Sequence, residues 1–90
     1  MIAIMSGAII GGAEACGIEA SLLDATTEHV FRVVRAKARD DAEFHSAAHY
    51  FTSMYTIYGS RRRRFPGNGC GDARPMFDQL DGTLDKAGAN

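Results

Sequence analysis

The chain has no tryptophan, two prolines and two cysteines among its 90 residues. Cys16 and Cys70 lie far apart and neither belongs to a CxxC pair, so they do not read as a disulfide framework. Reduced thiols in a cytoplasmic protein are the expectation. Neither cysteine has the His–Asp context of a nucleophile. No run of about 20 apolar residues is present, so no membrane span is expected. The apolar start, residues 1–13, has no Lys or Arg before it and does not read as a secretory signal. Gly11-Gly12-Ala13 is not followed by the Gly-Lys-Ser/Thr of a phosphate loop, so no nucleotide cofactor is implied.

The longest stretch lacking both glycine and proline is Ser21 to Tyr58, 38 residues. Phe44, Ala48, Phe51, Tyr55 and Tyr58 recur at four and three residues, which places them on one face of a helix. Leu23, Thr27, Val30 and Val34 repeat the pattern earlier in the stretch. Its centre is charged, with Arg35, Lys37, Arg39, Asp40, Asp41 and Glu43. Two arrangements satisfy this pattern. One is a single helix of about 57 Å. The other, which we favour, is a hairpin turning near Arg39, with Asp40 as the N-cap of the second helix and Glu43 completing a capping box. A chain this short needs its two apolar stripes to bury each other.

The remaining segments are read around that stretch. Residues 1–17 form an apolar arm with two ladders of small residues, Ala3-Gly7-Gly11-Ala15 and Ala8-Gly12-Cys16-Ala20. On a helix such ladders permit close backbone approach. A short strand at Met1–Met5 is the rival reading, and membrane contact a third. Gly17 breaks the arm, and Ser21 is expected to cap the next helix with Asp24 at its third position. Residues 18–58 are the helical core. Gly59 is expected to end it, and residues 59–74 to form a basic, glycine-rich loop. Pro75 then sits in the first turn of a short last helix with Met76, Phe77, Leu80 and Leu84 on one face. Residues 85–90 are expected to fray. The fold class is all-α: one small domain.

Charge is segregated along the chain. Residues 1–28 hold four acids and no base, residues 29–64 eight bases and three acids, and residues 65–90 two bases and four acids. Eight of the ten bases are arginine, which suits bidentate contact with phosphate or carboxylate. Arg61, Arg62, Arg63 and Arg64 make the densest patch, with Phe65 beside them to stack on a base. Arg32, Arg35 and Arg39 add charge upstream. These residues point to a non-catalytic binding protein acting on nucleic acid or on an acidic protein surface. The alternative is a small protein–protein module, such as an inhibitor, adaptor or assembly subunit. It would work through Tyr55, Tyr58 and the close-approach glycines Gly7 and Gly11, as a homodimer or larger assembly. Asp41, His45 and His49 stand four apart and could ligate a divalent metal, and His29 could join them if the hairpin brought it near. Ser46 follows His45 where a zinc-protease motif requires Glu, so an enzyme built on these residues is the least favoured reading and no cofactor is expected.

Overall fold

The computed structural model of the chain describes residues 2–64 and 70–88, without the side chains of residues 62–64. Among these residues it forms four helices and no strand: α1 (Ile2–Ala15), α2 (Ala20–Lys37), α3 (Asp41–Arg64) and α4 (Cys70–Gly88). The fold is all-α.

The apolar arm is a helix, not a strand, and it lies at the centre. Ala3, Ser6, Gly7, Ile10, Gly11, Gly12 and Ala13 are buried, which covers most of the circumference of α1. A helix enclosed in this way has to be apolar nearly all round, and α1 carries no charge before Glu14. Gly7 packs on Phe51 and Met54, and Gly11 on Tyr55. Both numbers rise together, so α1 and α3 run parallel. A Cβ at Gly7 would collide with the Phe51 carbonyl oxygen, and one at Gly11 would lie 2.8 Å from Tyr55 Cα. The glycine hydrogens that take those places permit weak C–H···O contacts, worth about 0.5–1 kcal/mol each. The Ala3-Gly7-Gly11 ladder thus meets another helix of the same chain.

α1 ends in a Schellman motif. The Gly17 amide donates to the Glu14 carbonyl and the Ile18 amide to the Ala13 carbonyl, both at 3.1 Å. Gly17 has φ 87°, a left-handed conformation that side chains resist, and it turns the chain into α2. α2 begins at Ala20 with Glu19 in the cap position and no side-chain cap bond. Ser21 therefore lies inside the first turn and is not the N-cap expected from its residue type. The single-helix alternative for Ser21–Tyr58 does not hold, because the backbone breaks over residues 38–40. Ala38 is extended, with ψ 134°. The Glu43 amide donates to Asp40 Oδ1 at 2.8 Å, as a capping residue requires. The Glu43 carboxylate returns to the Arg39 amide at 3.4 Å, one residue before the usual capping-box partner.

The two stripes meet through aromatic rings. Phe31 of α2 lies edge-on to Phe44 at 6.1 Å and to Phe51 at 5.0 Å. The closest partner of α3 along its length, however, is α1. Gly59 does not end α3, which continues through Arg64. Gly59 is buried and does not adopt the positive φ that a glycine cap uses. The segment expected as a basic loop is therefore helical as far as residue 64.

α4 begins at Cys70, five residues before Pro75, so Pro75 lies within the helix and leaves the Gly71 carbonyl without its intrahelical donor. The cysteines correct the expectation of free thiols: Cys16 and Cys70 form a disulfide with Cα atoms 5.6 Å apart. Their separation of 54 residues gave no sign of it, since the pairing arises only when the Gly17 turn and the start of α4 come together. α4 runs on through Gly88, past the expected fraying point at residue 85. His29 of α2 explains part of this. Its Nδ1 lies 3.1 Å from Asp81 Oδ1 and its Nε2 lies 3.3 Å from Asp85 Oδ1. A protonated ring donates to both carboxylates, and a neutral ring to only one. Ile10, Val30, Leu80 and Leu84 form the fully buried centre between α1, α2 and α4, and Phe51 joins it from α3 at 6% exposure. The Ser6 hydroxyl is buried there with no hydrogen-bond partner among the described residues.

Two outcomes follow from this packing. Replacing both Cys16 and Cys70 with Ser should lower the unfolding free energy by about 3–4 kcal/mol, measured by denaturant titration. An unchanged midpoint, with both native thiols open to alkylation, would show that the bond does not form. Gly11→Ala should destabilise, because the methyl meets the Tyr55 backbone. Gly82→Ala, where the space is open, should stabilise α4 by roughly 1 kcal/mol. Equal shifts in melting temperature for the two variants would remove the close contact between α1 and α3.

Candidate polyanion-binding helix

α3 carries most of the residues that the sequence marks as functional, and the structure sorts them. At its start the bases are already paired. Arg35 Nη2 lies 2.7 Å from Asp41 Oδ1, and its guanidinium sits 4.9 Å above the Phe44 ring. Arg39 Nε donates to Glu43 Oε2 at 2.9 Å. Arg32 is exposed and has no such partner among the described residues. It lines an open depression with Thr27, Phe31 and Arg35. The three upstream arginines are therefore not one free cationic face, since two of them answer acids at the turn between α2 and α3.

Beyond Glu43 the helix changes character. No acidic residue occurs from Phe44 to Arg64. His45, His49, Thr52, Thr56 and Ser60 are all exposed, and their spacing of four, three, four and four places them on one side of α3. Thr52 Oγ1 donates back to the Ala48 carbonyl at 3.0 Å, which leaves its lone pairs outward. Arg61 is exposed, with its guanidinium 5.2 Å over the Tyr58 ring one turn back. Arg62, Arg63 and Arg64 complete the last helical turn, where positive charge complements the helix dipole. Phe65 lies outside the described residues.

The inner side of α3 is occupied. Tyr55 and Tyr58 are half-buried, and Tyr55 stacks on Phe51 at 6.1 Å. Gly7 and Gly11 are buried beneath Phe51 and Tyr55. These four residues are thus engaged within the chain. Among the described residues the exposed large apolar side chains are instead Ile4, Met5, Leu22, Tyr50, Ile57 and Met76.

The metal candidates do not assemble. Asp41 is held by Arg35, and His29 faces α4. Among the described residues no group of three or more His, Cys, Asp or Glu side chains could hold a metal ion. The pairing of His29 with Asp81 and Asp85 was missed in sequence. Its one trace is the four-residue spacing of the two aspartates, which sets both on one side of α4.

No described helix is long and apolar enough to cross a membrane. The chain matches no protein-family model, no curated protein and no solved structure.

The arginines should separate by substitution. Arg35→Ala loses an exposed ion pair and a ring contact and should cost about 1 kcal/mol. Arg32→Ala should stay within about 0.5 kcal/mol of the parent. Thermal unfolding of the two variants checks this, and a larger loss for Arg32 would contradict the pairing.

Proposed function

We propose that the protein is a non-catalytic nucleic-acid-binding protein that lays the outer side of α3 along a phosphate backbone. The observation that carries this reading is the run from Phe44 to Arg64: 21 residues without an acid, exposing His, Thr and Ser side chains and ending on four arginines. Hydroxyls, imidazoles and guanidiniums are the groups that contact phosphate oxygens, and such contacts are independent of base sequence. Among the described residues the carboxylates of α4 that form ion pairs do so with Arg74 and His29 and not with α3.

The placement of Arg61–Arg64 on a helix changes the expected geometry. Four consecutive helical positions stand about 100° apart and encircle the axis. They suit a strand passing the end of α3 better than a flat surface. The Cys16–Cys70 bond weighs against the expected cytoplasmic setting and favours an oxidising compartment.

A second reading, a protein–protein module, now draws on different residues from those expected. Ile4, Met5, Ile57 and Met76 are exposed and uncharged, and a partner protein or a second copy could cover them.

The polyanion reading is tested by fluorescence anisotropy with labelled single- and double-stranded oligonucleotides over a range of salt concentrations. Changing Arg61–Arg64 to Ala should weaken binding and reduce the salt slope by about three units. Folding should survive, as monitored by circular dichroism. Salt-independent binding, or binding unchanged in the variant, would refute the proposal.

A further inference from the structure

At the opposite end of α3 from the arginines, the first turn of α1, the last turn of α2 and the first three turns of α3 border an open hollow of about 390 Å³. Ala3, Val34, Ala47 and Tyr50 supply its apolar lining, and Lys37 and Glu43 its charged groups. We propose that this hollow binds a small monocarboxylate with an apolar tail, the tail against Ala3, Val34 and Ala47 and the carboxylate on the Lys37 ammonium.

Size sets the first limit. Ligand sites span about 300–1,000 Å³, and a hollow near the lower bound takes a short chain or a single ring, not a nucleotide or a large cofactor. The lining sets the second. Most of it is hydrocarbon, so the body of the ligand must be apolar. Charge sets the third. The Glu43 carboxylate already accepts from Arg39, through Nε at 2.9 Å and the amide at 3.4 Å. Lys37 is exposed and has no partner among the described residues. The charged group left to meet a ligand is therefore a cation. The first turn of α1 carries no acid, so its N-terminal partial charge favours an anion as well. An apolar molecule with one carboxylate satisfies all three conditions, whereas a cationic amphiphile would leave Lys37 opposed. The inference uses none of the side chains that the polyanion reading sets against phosphate, and it stands or falls apart from that reading.

The experiment is an amide NMR titration of the full 15N-labelled chain with octanoate, kept below its micelle-forming concentration, and with octanol for comparison. Octanoate should produce saturable shifts centred on Ala3, Val34, Lys37 and Ala47. Octanol should bind at the same place about threefold to fivefold more weakly, as loss of an exposed ion pair implies. Lys37→Gln, a surface change that should leave the fold intact, should make the two ligands equal. Ala47→Phe should fill the hollow and abolish both titrations while the remaining amide spectrum is retained. Equal affinity for octanoate and octanol in the parent would overturn the role of Lys37. Shifts that never saturate, or that centre on Ile4, Met5 and Met76, would overturn the site itself.

Discussion

Gly7 and Gly11 let the backbone of α1 rest on the carbonyl side of α3 at Phe51 and Tyr55, and the rest of the molecule is arranged around that contact. Two helices that touch through glycine leave no room for side chains between them, so the match must be in register. The register here is parallel. A parallel pair within one chain needs a return element, and α2 supplies it by running back from Gly17 to Lys37. α2 could not pass between α1 and α3, so it lies beside them and meets α3 through long aromatic side chains rather than through backbone. α4 then covers the side of α1 that α2 leaves open. A helix placed at such a centre needs no polar face, which accounts for the near absence of charge in α1.

The second constraint is the attachment of α4. It packs on α1 and α2 and follows a segment containing Pro66, Gly67 and Gly69. Two features fix it at separate heights. The disulfide ties its first residue to the end of α1, and His29 holds Asp81 and Asp85 near its far end. The disulfide acts chiefly by limiting the unfolded chain, an effect that grows with the length of chain enclosed. The His29 contacts act in the native state and depend on which ring nitrogens carry protons. Between them, Phe77, Leu80 and Leu84 bury one face of α4, so the glycine at position 82 is tolerated on the exposed side.

Much of this was legible in the sequence where the signal was local. The four-three spacing from Phe44 to Tyr58, the capping pair Asp40 and Glu43, and the break at Gly17 depend on neighbouring residues, and each is found. The close-approach ladder at Ala3, Gly7 and Gly11 was legible as a contact but not as to its partner. Identifying that partner requires knowing which helix lies across it, and no periodicity carries that information. Gly59 and Pro75 misled for a related reason. A glycine caps a helix through a positive φ, and Gly59 is buried and keeps its φ negative within α3. Proline disfavours a helix interior, but the disulfide anchors α4 a full turn before Pro75. The disulfide itself and the partners of His29 are long-range and had no local sign.

The charge pattern shows how sequence order becomes spatial order. The bases of α3 after Glu43 and the acids of α4 belong to helices on different sides of α1. Had α4 packed along α3, Asp72, Asp78, Asp81 and Asp85 would have met the basic helix and neutralised it. Instead Asp78 pairs with Arg74 of its own helix and Asp81 and Asp85 with His29, while Asp41 and Glu43 pair with Arg35 and Arg39 at the turn. Near neutrality of the whole chain therefore conceals a segregation of charge along the sequence. Within about one Debye length, roughly 8–10 Å at moderate salt, a polyanion approaching α3 senses the local charge and not the net charge of −1. The hollow near Lys37 carries its own electrostatics: it lies at the acidic start of α3, where Asp41 and Glu43 each have an arginine and Asp40 caps the helix. One helix thus presents, at its start, carboxylates paired with arginines beside an apolar hollow and, beyond Glu43, a run without an acid of its own.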